Sequence, residues 1–591
     1  MSTVLVESRA AHRAWWSTVR ARLLQRPEMS MEELALAASL FFTIACNGSF
    51  FRAVSASGVL DEASGSLTGA SLVVLITALH MILMLALLTR RTAKPLLGAL
   101  FLVTAIAVHF MTRYTVFLDA DMVGNIVHTD RKESAELLSW SLAPSLLLLG
   151  VLPSLAVWRV RIRRRPIVRA LVVRLASLAL ATVFALVAAL ASYPSLSSLM
   201  RNHREMRHLV TPGNYVVALY HVLRRDNAVR DAPRTPIGLG AGVVGRPAGA
   251  KPRLLVLVVG ETVRAQNWGL NGYARQTTPR LSSRDLVNFA DMHSCGTATE
   301  VSLPCMFSPL GRADYDKDRV KHSESLLHVL DHAGIATLWR DNQTGCKGVC
   351  DGLPFESFEH AADPEHCNDE GCLDGVLLAG LDKAVDEHRG DVVVVLHPLG
   401  NHGPSYFKRY PQRLATFQPA CESSDLGHCR REEIVNAYDN AILATDELLD
   451  RVITFLSAQT SRDTALIYVS DHGESLGENG LYLHGMPYAI APETQTRVPM
   501  VMWFSPGMRA SRGIDGDCMR ALANGTASHD NVFHSVLGLM QVKAPEFDAG
   551  LDLIGACARL ATTEGGVNDA SRKPPIVGER RASADGMAVI E

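Results

Sequence analysis

The sequence predicts an N-terminal α-helical membrane domain of five transmembrane helices, followed by a C-terminal α/β domain. Two observations carry this prediction. Long apolar segments crowd into the first third of the 591 residues, whereas apolar strands alternate with helical segments in the remainder. The net charge is -2, with no excess of basic over acidic residues, so we expect no nucleic-acid partner.

Five segments have the length of membrane helices, which need roughly 20 apolar residues to cross the hydrocarbon. A core helix of a soluble protein keeps a polar face, so apolarity on every face favours membrane spans. The predicted spans are residues 33–53, 68–89, 95–112, 139–158 and 169–191.

Basic residues predict the orientation of these helices. Five arginines between residues 9 and 26 precede the first span, and the sequence RVRIRRRPIVR lies between the fourth and the fifth. The loops on the other side include Asp61, Glu62, Asp119 and Asp121. A cytoplasmic N-terminus and five crossings place the C-terminal domain outside the cytoplasm.

Cysteine usage supports the same orientation independently. Ten of the 11 cysteines follow the last span, and an even count in close pairs is typical of disulfides in an oxidising compartment. A zinc finger is the alternative for CKGVC and CNDEGC, but no CxxC or paired His follows at finger spacing. The expected pairs, the last of them left by exclusion, are Cys295–Cys305, Cys346–Cys350, Cys367–Cys372, Cys421–Cys429 and Cys518–Cys557.

Composition divides the chain into five parts. Residues 193–225 mix apolar and basic side chains at helical spacing, which suits interfacial helices or an ordinary connector, and a Pro/Gly-rich linker follows. We therefore predict a cytoplasmic tail over 1–30, the membrane domain over 31–192 with an extracytoplasmic loop at 113–138, interfacial helices and linker over 193–250, the α/β domain over 251–565 and a polar tail over 566–591.

Five apolar runs predict a parallel-type sheet that is buried on both faces. They are RLLVLVVGET, GIATLWRDN, DVVVVLHPLG, TALIYVSDHG and RVPMVMWFS. Ligands bind beyond the carboxyl ends of such strands, where this sequence places Glu261, His397, His402, Asp471 and His472. Carboxylates and imidazoles converging on one edge predict a Zn²⁺ site; the alternative is a set of separate surface groups. Glu474 and Glu478, in the loop after the fourth run, receive no role beyond ordering that loop.

The segment SCGTATEVSLPCMFSPLGR, residues 294–312, predicts a nucleophile. A Cys295–Cys305 bridge would clamp a loop that contains Thr297, Thr299 and Ser302. Such a clamp could hold a hydroxyl at a helix N-terminus, where a metal would lower its pKa enough for attack. A helix cap inside a stapled loop is the alternative.

Four motifs are similar to those of one family: VVGETVRAQNWGLNGYARQTTP, SCGTATEVSLPCMFS, LHPLGNHGPSYFKRYP and SDHGESLGENGLYLHGMPYAIAP. The chain resembles the phosphoethanolamine transferases that modify lipid A, the group containing the mobile colistin-resistance enzymes. That group lies within the alkaline phosphatase/sulfatase superfamily, so the resemblance implies an alkaline phosphatase-like C-terminal domain. It covers nearly the whole chain.

The resemblance also implies the roles of individual residues. Glu261, Thr299, Asp471 and His472 would surround one zinc, with Thr299 as the nucleophile. His402 and His484 would act catalytically on the phosphate or hold a second zinc. The residues expected to bind substrate are Asn125, Thr129 and Glu133 before the fourth span, and His397, Thr344 (where the family has Ser) and Lys347 in the soluble domain.

The implied activity transfers phosphoethanolamine from phosphatidylethanolamine to a lipid A phosphate through a phospho-threonine intermediate. Added ammonium groups would lower the outer-membrane negative charge and give polymyxin resistance. We expect a monomer in the bacterial inner membrane with its catalytic domain in the periplasm. The alternatives are transfer to Kdo or heptose of the lipopolysaccharide core, a phosphoglycerol transferase, and a non-catalytic membrane receptor or scaffold. A sulfatase would need C-x-P-x-R or S-x-P-x-R, and neither occurs around Thr299.

Overall fold

The computed structural model describes residues 26–61, 65–128, 137–231, 234–358, 361–368 and 371–558. The chain forms two compact units. Within these described residues, the helical unit takes those up to 123 and from 139 to 221, and the α/β unit takes those from 124 to 138 and from 222 onward.

The helical unit is built from nine α-helical segments and a 3-10 helix (Arg204–Leu209) within the described residues, and the last residues of two of the α-helices are assigned to the α/β unit. A short parallel pair joins Glu28–Met29, just before the first described helix, to Arg161–Ile162, which lies between two later helices. The helices are α1 (Met31–Phe41), α2 (Gly48–Ala56), α3 (Gly65–Leu87), α4 (Ala93–Arg113), α5 (Ala120–His128), α6 (Leu142–Arg159), α7 (Ile167–Ala191), α8 (Tyr193–Asn202) and α9 (Gly213–Asp231).

Four of these helices, α3, α4, α6 and α7, are long and apolar enough to cross a membrane within the described residues. The first predicted span is broken: α1 continues as a π-turn to Cys46, and α2 then departs at 52°. Taken as one bent segment, α1 and α2 make a fifth helix long and apolar enough to cross a membrane. The Asn47 amide donates to the carbonyls of Phe42 and Thr211 and accepts from the Thr211 N–H, so it satisfies backbone groups at the break.

Small residues let α7 lie against α3. The buried residues of α7 are Ala181, Ala185 and Ala188, whose spacing places them on one face and whose size permits close approach. The large apolar side chains of α7, such as Leu175 and Phe184, are exposed. This distribution suits a helix that faces lipid.

The α/β unit contains one eight-stranded sheet with the order β8-β2-β7-β6-β1-β5-β3-β4. The strands are β1 (Arg253–Gly260), β2 (Val287–His293), β3 (Ala336–Asp341), β4 (Phe355–Ser357), β5 (Val392–His397), β6 (Asp463–Ser470), β7 (Arg497–Phe504) and β8 (Ala527–Ser528). All neighbouring pairs are parallel except those that β7 forms with β6 and β2.

Burial on both faces explains the continuous apolar runs. Leu255, Leu257 and Val259 of β1 enter one hydrophobic cluster, whereas Leu254 and Val256 enter the cluster on the opposite face. Alternation along a strand sends successive side chains to opposite faces. The predicted fold class, apolar membrane helices followed by a sheet of this kind, is confirmed.

Helices flank the sheet, and five disulfides join the pairs that the sequence predicts. Cys46 is buried and free. The helices are α10 (Thr299–Met306), α11 (Lys317–Lys321), α12 (Leu326–His332), α13 (Leu381–Asp386), α14 (Arg431–Ala458), α15 (Glu493–Thr496), α16 (Pro506–Arg512), α17 (Gly516–Leu522) and α18 (Asp530–Met540).

Candidate active site

The site lies where four neighbouring parallel strands end. The sheet order places β6, β1, β5 and β3 side by side, so their carboxyl ends share one edge. Glu261 follows β1, Asp471 and His472 follow β6, His397 ends β5 and Asp341 ends β3. The sheet topology therefore gathers residues that lie more than 200 positions apart in the chain.

Glu261, Asp471 and His472 form a buried cluster whose ligand atoms all lie within 4.8 Å of one another. His472 Nε2 lies 3.4 Å from Glu261 Oε1 and 3.3 Å from Asp471 Oδ2. Neither of these two carboxylate oxygens has a hydrogen-bond partner among the residues that the structure describes. All three side chains are fully buried.

The proton of His472 lies on the far side of its ring. Nδ1 lies 3.0 Å from the carbonyl of Gly473, and a carbonyl only accepts, so Nδ1 carries the hydrogen. Nε2 therefore presents a lone pair to two carboxylate oxygens. Three electron-rich atoms facing one another in a buried site fit a cation.

The electrostatics of the cluster point the same way. Burial raises the pKa of Asp471 well above its usual range, and the charge of Glu261 raises it further. Burial also opposes ionisation of Glu261, and its pKa is lowered chiefly by positive charge on the neighbouring imidazoles of His472, His402 and His484 when they are protonated. Like charges this close do not both ionise easily unless a positive charge lies between them.

The backbone next to Glu261 is strained and is kept in place by hydrogen bonds. Thr262, the next residue, has a φ of 53°, a conformation that is costly for a β-branched residue. Its N–H donates to Asp471 Oδ1, and its carbonyl accepts a 2.6 Å hydrogen bond from the Tyr438 hydroxyl. Contacts from two other elements therefore compensate for the strain.

Thr299 brings its hydroxyl to the cluster as the first residue of α10. The hydroxyl donates to Glu261 Oε2 at 2.9 Å, and Thr299 Oγ1 lies 3.3 Å from His472 Nε2. The preceding loop is tied to the segment after His484, because the Gly485 N–H donates to the Thr297 carbonyl and the Thr297 hydroxyl donates to the Met486 carbonyl.

Two further histidines lie next to this group. The His484 ring lies 4.4 Å from the His472 ring and 5.5 Å from the His402 ring, measured between centroids. Glu474 lies fully buried beside His484, with its Oε2 3.1 Å from His484 Nδ1. Glu474 thus fixes the orientation of His484, a contact beyond the loop-ordering role expected from the sequence.

His397 has different surroundings from those expected of a substrate-binding residue. Its side chain is fully buried, its Nδ1 lies 2.7 Å from Asp341 Oδ1, and its ring contacts Trp339. Asp341 in turn accepts the backbone N–H groups of Gln343 and Gly345. His397 therefore supports the loop after β3.

That loop also carries the two predicted substrate residues Thr344 and Lys347. The Lys347 ammonium donates to the carbonyl and the hydroxyl of Thr344. Both residues line a cavity of about 810 Å³, whose wall also includes Glu300 and Lys321.

The remaining predicted substrate residues precede α6. Asn125 lies in α5. Thr129 and Glu133 lie outside the described residues.

The sequence reasoning missed Gln343 and the support that Asp341 gives. Gln343 Nε2 donates to Glu261 Oε2, so it helps to orient one of the clustered carboxylates. The rule that selects Glu261, a polar residue where an apolar strand ends, would also have selected Asp341. The sequence contains no comparable signal for Gln343, since its contact depends on the course of a loop.

Two family models divide the chain between them. The model described as Sulfatase matches residues 253–542, and the model described as Phosphoethanolamine transferase EptA/EptB matches residues 76–227. Together with the sheet and its strand-end cluster, they define the class of protein. It is an enzyme of the alkaline phosphatase/sulfatase superfamily attached to a helical membrane region.

Whole-chain similarity identifies the family. Phosphoethanolamine transferase EptA of Escherichia coli (strain K12) is 36% identical over 91% of this chain and 99% of its own length. Phosphatidylethanolamine transferase Mcr-1 of Escherichia coli is 38% identical over 81% of this chain and 90% of its own. The solved integral membrane protein lipooligosaccharide phosphoethanolamine transferase A (EptA) from Neisseria meningitidis superposes with a TM-score of 0.85 at 36% identity, covering 90% of this chain and 100% of its own. The chain belongs to the phosphoethanolamine transferase family.

Proposed function

We propose that this enzyme transfers phosphoethanolamine from phosphatidylethanolamine to a phosphate of lipid A, through a covalent intermediate on Thr299. The observation that carries the proposal is the contact of the Thr299 hydroxyl with Glu261 and its 3.3 Å approach to His472 Nε2. Two relatives, a phosphatidylethanolamine transferase and a lipooligosaccharide phosphoethanolamine transferase, support the donor and the acceptor class.

Zinc is the metal that the donor set fits. Two carboxylates, one imidazole and a hydroxyl form the nitrogen and oxygen ligand set that Zn²⁺ accepts. Glu261, Asp471, His472 and Thr299 would hold the ion. His402 would help to hold a second ion where one binds, while His484 serves as the proton donor. A bound zinc lowers the pKa of a coordinated hydroxyl and stabilises negative charge on phosphate oxygens.

In the first step Thr299 Oγ1 attacks the phosphorus of phosphatidylethanolamine. The hydroxyl proton leaves toward Glu261 Oε2, which already accepts it in a hydrogen bond. The bond from phosphorus to the glycerol oxygen breaks, and His484 protonates that oxygen through Nε2 while Glu474 orients its Nδ1 side. Diacylglycerol departs, and phosphoethanolamine remains on Thr299.

In the second step an oxygen of the acceptor phosphate attacks the same phosphorus. The bond from phosphorus to Thr299 Oγ1 breaks, and Thr299 regains the proton that Glu261 accepted in the first step. The proton of the acceptor P–OH passes to His484 and restores it for the next cycle. The product is a diphosphate-linked ethanolamine on lipid A. Its ammonium reduces the negative charge of the surface, so polymyxin and other cationic peptides would bind less tightly. The activity requires the α/β unit to face the periplasm from the inner membrane.

Replacing the nucleophile tests the proposal. We expect Thr299→Ala to abolish transfer because no other hydroxyl occupies its position, whereas Thr299→Ser keeps the hydroxyl and part of the rate. Mass spectrometry of lipid A, from cells that express each variant, measures the added phosphoethanolamine. Intact mass of the purified protein after incubation with phosphatidylethanolamine measures the adduct on Thr299.

Equal folding of the variants is checked by their unfolding midpoints and zinc contents. Wild-type levels of modified lipid A from the Thr299→Ala variant would refute the assignment. Phosphoethanolamine on core sugars rather than on lipid A would replace the acceptor and leave the first step intact.

A further inference from the structure

His529 connects the nucleophile loop to the strand that carries two cluster residues. It immediately precedes α18 and its side chain is 1% exposed. Its Nδ1 lies 3.1 Å from the backbone nitrogen of Cys295, and its Nε2 lies 2.9 Å from the carbonyl oxygen of Ser470. Asp471 and His472 follow Ser470 directly.

The two partners fix the proton on the ring. The Cys295 N–H can only donate and the Ser470 carbonyl can only accept, so Nδ1 accepts and Nε2 carries the hydrogen. Burial lowers the pKa of His529 to about 4, which keeps the imidazole neutral at neutral pH. A single neutral tautomer therefore joins the two segments.

The connection reaches Thr299 through a covalent bond. Cys295 forms a disulfide with Cys305, which lies on α10, the helix that Thr299 begins. The Cys295 carbonyl is also held, by a 3.1 Å hydrogen bond from Arg312. The backbone N–H and carbonyl of Cys295 are thus both hydrogen-bonded, and the disulfide transmits this restraint to the helix that Thr299 begins.

We propose that His529 is a positioning residue for the reaction: it sets the distance between Thr299 and the Asp471–His472 strand end. The inference rests on the proposed role of Thr299 as the nucleophile. Both ring nitrogens of His529 bond backbone atoms, so it acts through the Cys295 and Ser470 backbones. Misplacing a nucleophile by about 1 Å can cost roughly 100-fold in rate.

Two conservative variants separate positioning from folding. His529→Asn keeps an acceptor near the Nδ1 position, and His529→Gln keeps a donor near the Nε2 position, so each retains one of the two bonds. In the full chain in detergent micelles, we expect each to load phosphoethanolamine onto Thr299 roughly 10- to 100-fold more slowly in a single turnover. We expect the KM for phosphatidylethanolamine and the zinc content to stay close to wild type.

His534 provides the matched control. It lies on α18, is 2% exposed, and its Nδ1 accepts the backbone N–H of Asp548, far along the chain from both joined segments. His534→Asn should lower the unfolding midpoint without slowing the loading of Thr299 per zinc-bearing molecule.

The outcomes are distinct. Slow loading in both His529 variants at unchanged zinc content supports the inference. Wild-type loading rates in both, or losses that only follow zinc content and match His534→Asn, overturn it. A wild-type enzyme that forms no adduct on Thr299 would instead refute the proposed function, and the inference with it.

Discussion

At the scale of single residues, the site is defined by atoms without partners as much as by atoms in contact. Glu261 Oε1 and Asp471 Oδ2 are buried with no hydrogen-bond partner among the described residues, a costly arrangement in a folded protein unless a ligand supplies the partner. The sequence predicts these residues from their strand-end positions. It cannot predict which of their oxygens point toward a ligand, since this depends on side-chain contacts such as that of Gln343.

Glu474 illustrates a residue whose role only side-chain geometry reveals. Its carboxylate lies 3.1 Å from His484 Nδ1, and a charged partner stabilises the imidazolium that forms when the ring gains a proton. We expect Glu474→Gln to lower kcat by about 10- to 100-fold with little change in KM, because the amide orients the ring without its charge. Steady-state transfer to lipid A in detergent measures both constants.

Glu478 supplies the control for that variant. It lies in the same loop, but its carboxylate bonds Arg264 and Arg431 rather than a histidine. Glu478→Gln should therefore keep a kcat close to wild type. Equal losses in the two variants would show that the loop as a whole, and not the contact with His484, controls the rate.

At the scale of elements, the sequence predicts that a strand or helix exists better than it predicts the direction of the strand or the continuity of the helix. The run RVPMVMWFS is a strand as expected, but β7 is antiparallel to β6. The connection between them is long enough for a crossover, but it holds the site loop, the antiparallel pair Ser475–Leu476 with Tyr482–Leu483 and only short helical turns. Among these described residues, no long helix carries the chain back to the other edge of the sheet, as a parallel return usually requires. Likewise the first span breaks at Asn47. The Asn47–Gly48 pair is a turn signal, but it has little effect on the mean hydropathy of a window of about 20 residues.

The turn after Asp552 allows a test of pH dependence at this scale. Asp552 Oδ1 accepts the N–H groups of Ile554 and Gly555, but burial raises the pKa of Asp552 to about 6. A carboxyl with a raised pKa contributes stability that is fully present below its unfolded pKa and is lost as pH rises through about 6. Ionisation at pH 7 costs on the order of 3 kcal/mol at most.

We therefore expect Asp552→Asn to change the pH profile of stability. The asparagine oxygen can keep both backbone hydrogen bonds, and it does not ionise. The free energy of unfolding of the variant, relative to wild type, should rise between roughly pH 4 and pH 6 and level off above that. Urea unfolding of the full chain in micelles measures both profiles, and other buried carboxyls such as Asp446 cancel in the difference. Parallel profiles would show that Asp552 does not titrate in this range.

At the scale of the whole molecule, the two units meet different physical requirements of one reaction. Apolar helices with small-residue contacts keep the protein in the membrane that holds its lipid substrates, and this raises the effective concentration of those substrates near the enzyme. Disulfides and a sheet buried on both faces supply the rigid edge on which groups from distant parts of the chain converge. The sequence predicts both units because each depends on long, regular patterns of apolar residues.

The cluster also links metal binding to the stability of the α/β unit. Without a cation, folding must bury two carboxylates and an imidazole lone pair against one another, so a ligand that binds only the folded state should stabilise it. Chelation of zinc should therefore abolish transfer and also lower the unfolding midpoint. Zinc should raise the free energy of unfolding by about 4 kcal/mol when its free concentration exceeds its Kd by roughly 1,000-fold. Differential scanning fluorimetry of the full chain, before and after chelation and after zinc is restored, measures the shift of the unfolding midpoint.

Thr299→Ala should retain most of this stabilisation by zinc, because Glu261, Asp471 and His472 remain, whereas Asp471→Asn should lose most of it. Equal midpoints with and without the chelator would mean that the buried carboxylates are stabilised by something other than a metal.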